Sequence, residues 1–200
     1  NFNYPVQLAA QERGSTACDL LYAATKEEYT YSPENEPHIS LNFTHRLAKV
    51  ILKFVNMEKE PLEVSDVRIE GMQTAASFNI QTDVLTVDES SVATINPYHN
   101  ATTGFYEAII LPSALTDSYK VSFVLDDREK EWIFTNLDIA LPQFHKGYSY
   151  TFALYIDDSG FVEMGRLENV EGGNSSAPWE DGSSEDGTAE GDKTPVSGYA

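Results

Sequence analysis

Basic residues are scarce in this 200-residue chain, where 13 lysines and arginines stand against 32 aspartates and glutamates. The resulting formal net charge of -19 repels phosphate backbones and anionic lipid headgroups. A nucleic-acid-binding surface needs a basic stripe, but the segment that comes nearest to one, residues 127–131, alternates in sign. We therefore exclude nucleic acid as a partner.

Cysteine and long apolar runs are also lacking. Cys18 is the one cysteine, so the chain forms neither an internal disulfide nor a cysteine-based zinc site. Residues 15–18 look like the end of a lipoprotein signal, yet Gln11, Glu12 and Arg13 occupy the place of its apolar region, and we do not expect lipidation of Cys18. No run of about 18 apolar residues is present, which excludes a transmembrane helix. The chain begins at Asn1 without a targeting peptide, as a mature form or a fragment would.

Motifs for catalysis and metal binding are missing as well. The sequence contains no nucleophile elbow, glycine-rich phosphate loop or zinc-protease motif. The four histidines lie far apart, and none has a second histidine or cysteine at a metal-ligand spacing; they are His38, His45, His99 and His145. We interpret His45 as a core histidine with hydrogen-bonded nitrogens. Residues 157–160 lack the repeated acids of a calcium loop and favour a hairpin turn. We predict no catalytic, cofactor-binding or metal-binding residue.

Strict alternation of apolar and polar side chains is the dominant pattern that is present. It runs through residues 39–47, 119–125 and 148–156, and it is typical of strands with one face on a core. In the first segment it predicts that Phe43 is buried. The alternation changes phase near Ala48 and continues through residues 50–54, so we expect a bulge or bend there.

Shorter strands complete the prediction of an all-β, antiparallel sandwich. They are expected at residues 19–23, 62–69, 76–80, 84–87, 105–111, 132–134 and 161–164. No ten-residue window carries a helical apolar stripe.

The composition predicts three parts. Residues 1–36 form the end of a preceding β domain, or an edge strand plus linker, and residues 37–170 form the sandwich. Residues 171–200 hold seven acidic residues, one lysine and many glycines and serines. Such a segment buries too little apolar surface to offset the entropy of ordering. We therefore expect residues 171–200 to be an acidic, flexible tail.

Several motifs resemble those of the fimbrillin-like family, the surface and pilus subunits of Bacteroidales-type bacteria. The main one is residues 41–50, with the sequence LNFTHRLAKV. The others follow in the family's order: residues 4–6 and 19–23, ASFNI at 76–80, AIILP at 108–112, KGYSY at 146–150 and Trp179. The resemblance covers residues 1 to about 180.

This resemblance implies two transthyretin-like β-sandwich domains, export by a lipoprotein signal and assembly by strand exchange at the outer surface. The second domain is complete here, at residues 37–170. The resemblance implies other pilus subunits as partners, an extracellular location on the bacterial outer membrane or fimbrium, and neither catalysis nor a cofactor. Residues 194–198 make a poor donor strand, because they contain Pro195 and lack alternating apolar residues.

We therefore predict a non-enzymatic adhesion or assembly protein, either a pilus subunit or an accessory tip or anchor subunit. One alternative is a carbohydrate-binding surface lipoprotein with host or glycan ligands, in which exposed aromatics stack on sugars. The candidate aromatics are Tyr22, Tyr29, Tyr31, Tyr98 and Tyr106. The other alternative is an accessory domain of a glycoside hydrolase, since some pair of the many carboxylates will lie close together.

Limited proteolysis tests the domain boundaries. We expect cleavage first within residues 171–200 and a protected fragment spanning residues 37–170, because all the strongly alternating segments lie there. Mass spectrometry of the fragments gives the cleavage sites. Early cutting between Ile39 and Leu52 with the tail intact would contradict the boundaries.

Overall fold

A computed structural model describes residues 2–11, 18–25, 39, 41–57, 62–134 and 141–157, together with the backbone of 162–171. Fifteen strands lie in this part of the chain, and the prediction of an all-β sandwich is confirmed. They are β1 (Asn3–Gln7), β2 (Leu21–Tyr22), β3 (Thr44–His45), β4 (Ala48–Asn56), β5 (Val64–Glu70), β6 (Ala75–Asn79), β7 (Val84–Val87), β8 (Tyr98–Asn100), β9 (Phe105–Ile110), β10 (Ser113–Ala114), β11 (Lys120–Leu125), β12 (Arg128–Ile133), β13 (Gln143–Phe144), β14 (Ser149–Ile156) and β15 (Val162–Glu171).

The central sheet has five strands in the order β15-β14-β4-β9-β8. Its neighbours pair antiparallel except β4 and β14, which run parallel in register from Lys49 opposite Ser149 to Asn56 opposite Ile156. Two three-stranded sheets, β12-β11-β5 and β1-β6-β7, and the short pairs β2-β3 and β10-β13 complete the described architecture.

The larger core lies between the central sheet and the β12-β11-β5 sheet. Val50 and Leu52 of β4 and Val121 and Phe123 of β11 are all fully buried in it. Rings meet edge to face in this core, as Phe134 does with Phe152 at a centroid distance of 5.3 Å. The strands predicted at residues 50–54, 119–125 and 148–156 are therefore found, although β14 is buried on both faces from Ser149 to Leu154.

A second, smaller core lies under the β1-β6-β7 sheet. Its buried residues come from β1, β6 and β9 and from the chain next to them: Val6, Leu8, Leu47, Ala76, Phe78, Ile109 and Leu111. Strand β9 contributes to both cores, since Ala108 and Ile110 point into the larger one. Successive side chains of a strand point to opposite faces, and at this place both faces of β9 are covered.

The side chain of Gln11 links the N-terminal segment to β9. Its Nε2 donates to the Ile109 carbonyl at 2.6 Å, and its Oε1 accepts the Ile109 amide at 2.7 Å. Strand β8 pairs with β9 only from Phe105 to Glu107. The Gln11 side-chain amide therefore pairs with the backbone of β9 as a neighbouring strand would, at the position that β8 does not reach.

The strand predicted over residues 39–47 is wrong for most of its length. Only Thr44 and His45 pair, with β2, and Phe43 is 58% exposed instead of buried. Ile39 and Leu41 are exposed too. Alternation shows that one face is apolar, but burial also needs a neighbouring strand and a second layer. Strand β2 supplies two residue pairs and no more.

The phase change near Ala48 is a bend. The chain turns at Arg46 and Leu47, and β4 then starts at Ala48 with a new face toward the larger core. Lys49 lies on the opposite face, where it is nevertheless only 5% exposed. Its ammonium is 3.1 Å from a carboxylate oxygen of Glu107 on β9, which compensates the buried charge.

The shorter predicted strands are found, with shifted ends, as β2, β5, β6, β7, β9, β12 and β15. Strands β1, β8, β10 and β13 were not predicted, because each has at most five residues and none shows a clear alternation. A tight turn at Asp126 and Asp127 connects β11 to β12. Both residues have positive φ angles, 49° and 58°, as the two-residue turn of a tight hairpin requires. Residues 158–160 of the predicted hairpin turn lie outside the described residues.

Within the described ranges, no helix is both long and apolar enough to cross a bilayer.

Replacement of Gly71 by alanine tests how closely the backbone of Ser118 approaches Gly71. Gly71 has φ of +87°, and a Cβ there would lie 2.8 Å from the Ser118 carbonyl carbon and nearer still to its oxygen. Gly104 has φ of +74° but open space around its missing Cβ, so Gly104→Ala is the matched control. We expect Gly104→Ala to cost about 1 kcal/mol of unfolding free energy and Gly71→Ala about 3 kcal/mol. Urea titrations measure the unfolding free energies of both variants. Equal losses of free energy in Gly71→Ala and Gly104→Ala would contradict the close packing at Gly71.

Candidate functional site: a groove beside an edge strand

A partly apolar groove of about 320 Å³ lies beside strand β7. Apolar side chains of β6, β7 and the loop after β9 line most of it, and charged side chains stand around them. The lining residues are Arg46, Phe78, Asp83, Val84, Leu85, Val87, Pro112 and Lys146. The groove thus brings together four separate parts of the sequence.

The smaller core forms the floor of this groove. Phe78 is 1% exposed, and Leu85 and Val87 pack against the same cluster. Tyr22 supports the floor from the side, with its ring edge to face on Phe78 at 5.3 Å and its hydroxyl donating to the Ile80 carbonyl at 3.0 Å. An apolar side chain that entered the groove would therefore meet a firm apolar surface.

Charged groups mark the rim of the groove. The Arg46 guanidinium donates from an Nη to an Asp83 carboxylate oxygen at 2.9 Å, and its Nε forms a closer ion pair with the other oxygen. The same guanidinium lies over the Tyr22 ring, 4.9 Å from the centroid. Arg46 thereby connects the bend before β4 to the β6-β7 turn. The sequence identified this bend but gave no indication of the ion pair.

Strand β7 lies at an edge of its sheet. In the part of the chain that the structure describes, it pairs with β6 and with no other strand. Its sequence is VLTV, and Val84 is half exposed. An edge strand leaves a row of backbone donors and acceptors available for pairing with another chain.

Four other described edge strands, β12, β1, β8 and β5, are less suited to pairing. Strand β12 carries four successive charged residues, at 128–131, and β1 contains Pro5. Charges and proline are the means by which natural proteins protect sheet edges. Strand β8 has only three residues, and the edge of β5 is bridged at Ile69 by Ile95. Strand β7 alone among these combines an apolar sequence with an adjacent groove.

The histidines that the structure describes have different partners. His45 is nearly buried, and its Nδ1 lies 2.7 Å from a carboxylate oxygen of Asp19. His99 stacks on Tyr106, and His145 lies against Tyr148. His38 is outside the described residues. No group of three or more histidine, cysteine or acidic side chains suited to a metal ion is found among the residues described.

The other candidate side chains are also scattered. Cys18 is half-buried near the Ala10 carbonyl, and this burial raises the pKa of its thiol. Tyr98 lies on β8 and Tyr106 on β9, whereas Tyr22 packs against Phe78 of the groove floor. Tyr29 and Tyr31 lie outside the described residues.

The described strands define an all-β protein built as a sandwich of mostly antiparallel sheets. The fimbrillin-like family model matches residues 1–179, and the chain belongs to this family. The resemblance seen in the sequence motifs is thereby confirmed.

Two solved structures share the fold. A candidate cell adhesion protein from Bacteroides uniformis ATCC 8492 has a TM-score of 0.70 at 23% identity, over 85% of this chain and 66% of that one. A second, from Bacteroides ovatus ATCC 8483, has a TM-score of 0.52 at 15% identity, over 66% of this chain and 47% of that one. The chain thus spans about two thirds of the first relative and half of the second. No curated protein sequence matches it.

The pair of His45 and Asp19 provides a test of the structural role of His45. The other oxygen of Asp19 is buried without a hydrogen-bond partner, so loss of the imidazole leaves the carboxylate poorly compensated. We expect His45→Leu to lower the free energy of unfolding by about 2 kcal/mol. The double variant with Asp19→Leu should lose less than the sum of the single variants. Additive losses, or a stoichiometric metal released by His45→Leu, would contradict this role.

Proposed function

We propose that this protein is a non-enzymatic adhesion or pilus-assembly subunit that accepts a β-strand from another subunit beside β7. The main evidence for this proposal is the apolar groove along the edge of β7. An added strand would extend the β1-β6-β7 sheet through ladder hydrogen bonds. Its alternate side chains would enter the groove and contact Phe78 and Leu85, which supplies specificity.

Membership in the fimbrillin-like family supports this proposal, because the family comprises pilus and surface subunits. The two structural relatives are described as candidate cell adhesion proteins. We place the protein on the bacterial outer surface, with residues 37–170 as a transthyretin-like domain that β1 of the N-terminal segment completes as an added strand, and with residues 171–200 as a tail. Within an assembly it would serve as a tip, anchor or starting subunit.

The role of acceptor is favoured over that of donor. Residues 194–198 contain proline and no apolar alternation, so they would not fill a groove of this kind. On the acceptor side, Lys146 stands at the rim of the groove in a chain that has few cations. We therefore expect a donor strand with apolar alternation and an acidic residue at the end near Lys146.

The test mixes the full chain with synthetic peptides from the termini of fimbrillin-like pilus subunits. A peptide that binds only the folded protein raises the melting temperature, by roughly 5 °C at saturating concentration. Val84→Lys places a charge at the edge and should abolish this shift. Val92→Lys is the matched control, because Val92 is similarly exposed but does not line the groove.

Covalent trapping locates the added strand. In a Cys18→Ser background, Thr86→Cys on β7 should form a disulfide with a peptide that carries one cysteine, at a single peptide position. The proposal is wrong if no terminal peptide shifts the melting temperature and full-length subunits form no SDS-resistant ladder with the protein. It is also wrong if Val84→Lys leaves the shift unchanged.

A further inference from the structure

A second pocket, of about 440 Å³, lies away from the groove. It is formed by the end of β4, the start of β5 and the β8-β9 hairpin. The side chains that give it chemical character are Phe54, Asn56, Glu63, His99 and Tyr106. None of its lining residues belongs to the groove beside β7, so the two sites are separate.

Three rings pack together in this pocket, and we call the His99 ring with Tyr106 stacked behind it the aromatic platform. His99 stacks on Tyr106 with a centroid distance of 4.6 Å and an interplanar angle of 24°, and Phe54 meets Tyr106 edge to face at 5.7 Å. His99 is exposed, so the outer part of the platform is open to solvent. An aromatic plane of this kind suits a ligand with an apolar face and polar edges.

The platform is held in position before any ligand arrives. The Tyr106 hydroxyl donates to the Val64 carbonyl at 2.7 Å and so connects β9 with β5 of the other sheet. Burial, and secondarily the charge of Asp66, raises the pKa of this phenol, which keeps it a donor at neutral pH. A fixed ring loses little entropy when a ligand binds against it.

Polar groups and open space accompany the platform. Glu63 is exposed and can accept hydrogen bonds from hydroxyl groups. Gly104 has no heavy atom within 4 Å of the place where a Cβ would be, which leaves space beside the rings. The chain carries a net charge of -19. An anionic ligand is therefore disfavoured.

We propose that this pocket binds a neutral sugar residue of a glycan. The apolar face of the sugar ring lies on the outer face of His99, which Tyr106 supports from behind, and its hydroxyl groups bond to Glu63. The volume of the pocket is at the small end of the range for ligand sites and fits one sugar ring with part of a second. The site would give the protein a glycan-directed contact in addition to any contact between subunits.

Proton NMR tests the proposal with methyl glycosides of glucose, galactose, mannose and N-acetylglucosamine as probes. At least one probe should show saturation transfer from the full chain and shift the ring protons of His99. We expect a dissociation constant on the order of 1 mM, as is usual for so small a polar ligand.

Two variants of exposed residues separate binding from folding. His99→Ala removes the outer ring, Glu63→Gln removes the carboxylate, and each should weaken binding about tenfold with an unchanged melting temperature. His145→Ala is the matched control, since His145 is an exposed histidine against another tyrosine and should leave binding unchanged. Val84→Lys should also leave it unchanged, because the groove beside β7 is a separate site.

Three results would overturn the proposal. The first is that none of the four neutral glycosides shifts the His99 protons, and the second is that His99→Ala binds them as well as the unchanged chain does. The third is a response to sialic acid alone, which would mean that the pocket selects for charge. None of these results bears on strand acceptance beside β7, which is measured with peptides.

Discussion

Strand β9 is covered on both faces, and the two cores of the described structure meet there. Ala108 and Ile110 enter the larger core, while Ile109 and Leu111 enter the smaller one. A strand buried in this way needs its backbone groups paired on both sides, because unpaired groups away from water are costly. Strand β4 pairs with one side of β9, and on the other side the Gln11 side chain satisfies the amide and the carbonyl of Ile109. The position of the β1-β6-β7 sheet, and hence of the groove, depends on this arrangement.

The sheets differ in how they meet the solvent. On the β12-β11-β5 sheet, the Lys120 ammonium lies 3.4 Å from a carboxylate oxygen of Glu70 and 3.1 Å from one of Glu131, and Arg68 pairs with Glu129. Such exposed pairs add little stability, but they keep the face polar and unattractive to another strand. The edge at β7 has no comparable charges within its four residues. This contrast supports a selective role for the β7 edge.

The acidic composition is compatible with both proposed contacts. A donor strand is recognised by backbone hydrogen bonds and apolar side chains, and a neutral sugar by an aromatic face and hydroxyl partners. Neither contact needs a positive surface. The long-range repulsion expected between the acidic chain and nucleic acid therefore does not oppose either partner.

The sequence by itself determined the all-β class, the family and the strands with strict alternation, because these depend on local periodicity and composition. It also indicated His45 as a hydrogen-bonded structural residue. It could not show that Phe43, in an equally regular segment, lies exposed, since burial depends on partners far away in the chain. The groove and the aromatic pocket were decided by the tertiary structure alone. Arg46 meets Asp83, and Tyr106 reaches the carbonyl of Val64, only because sheet pairing brings distant segments together.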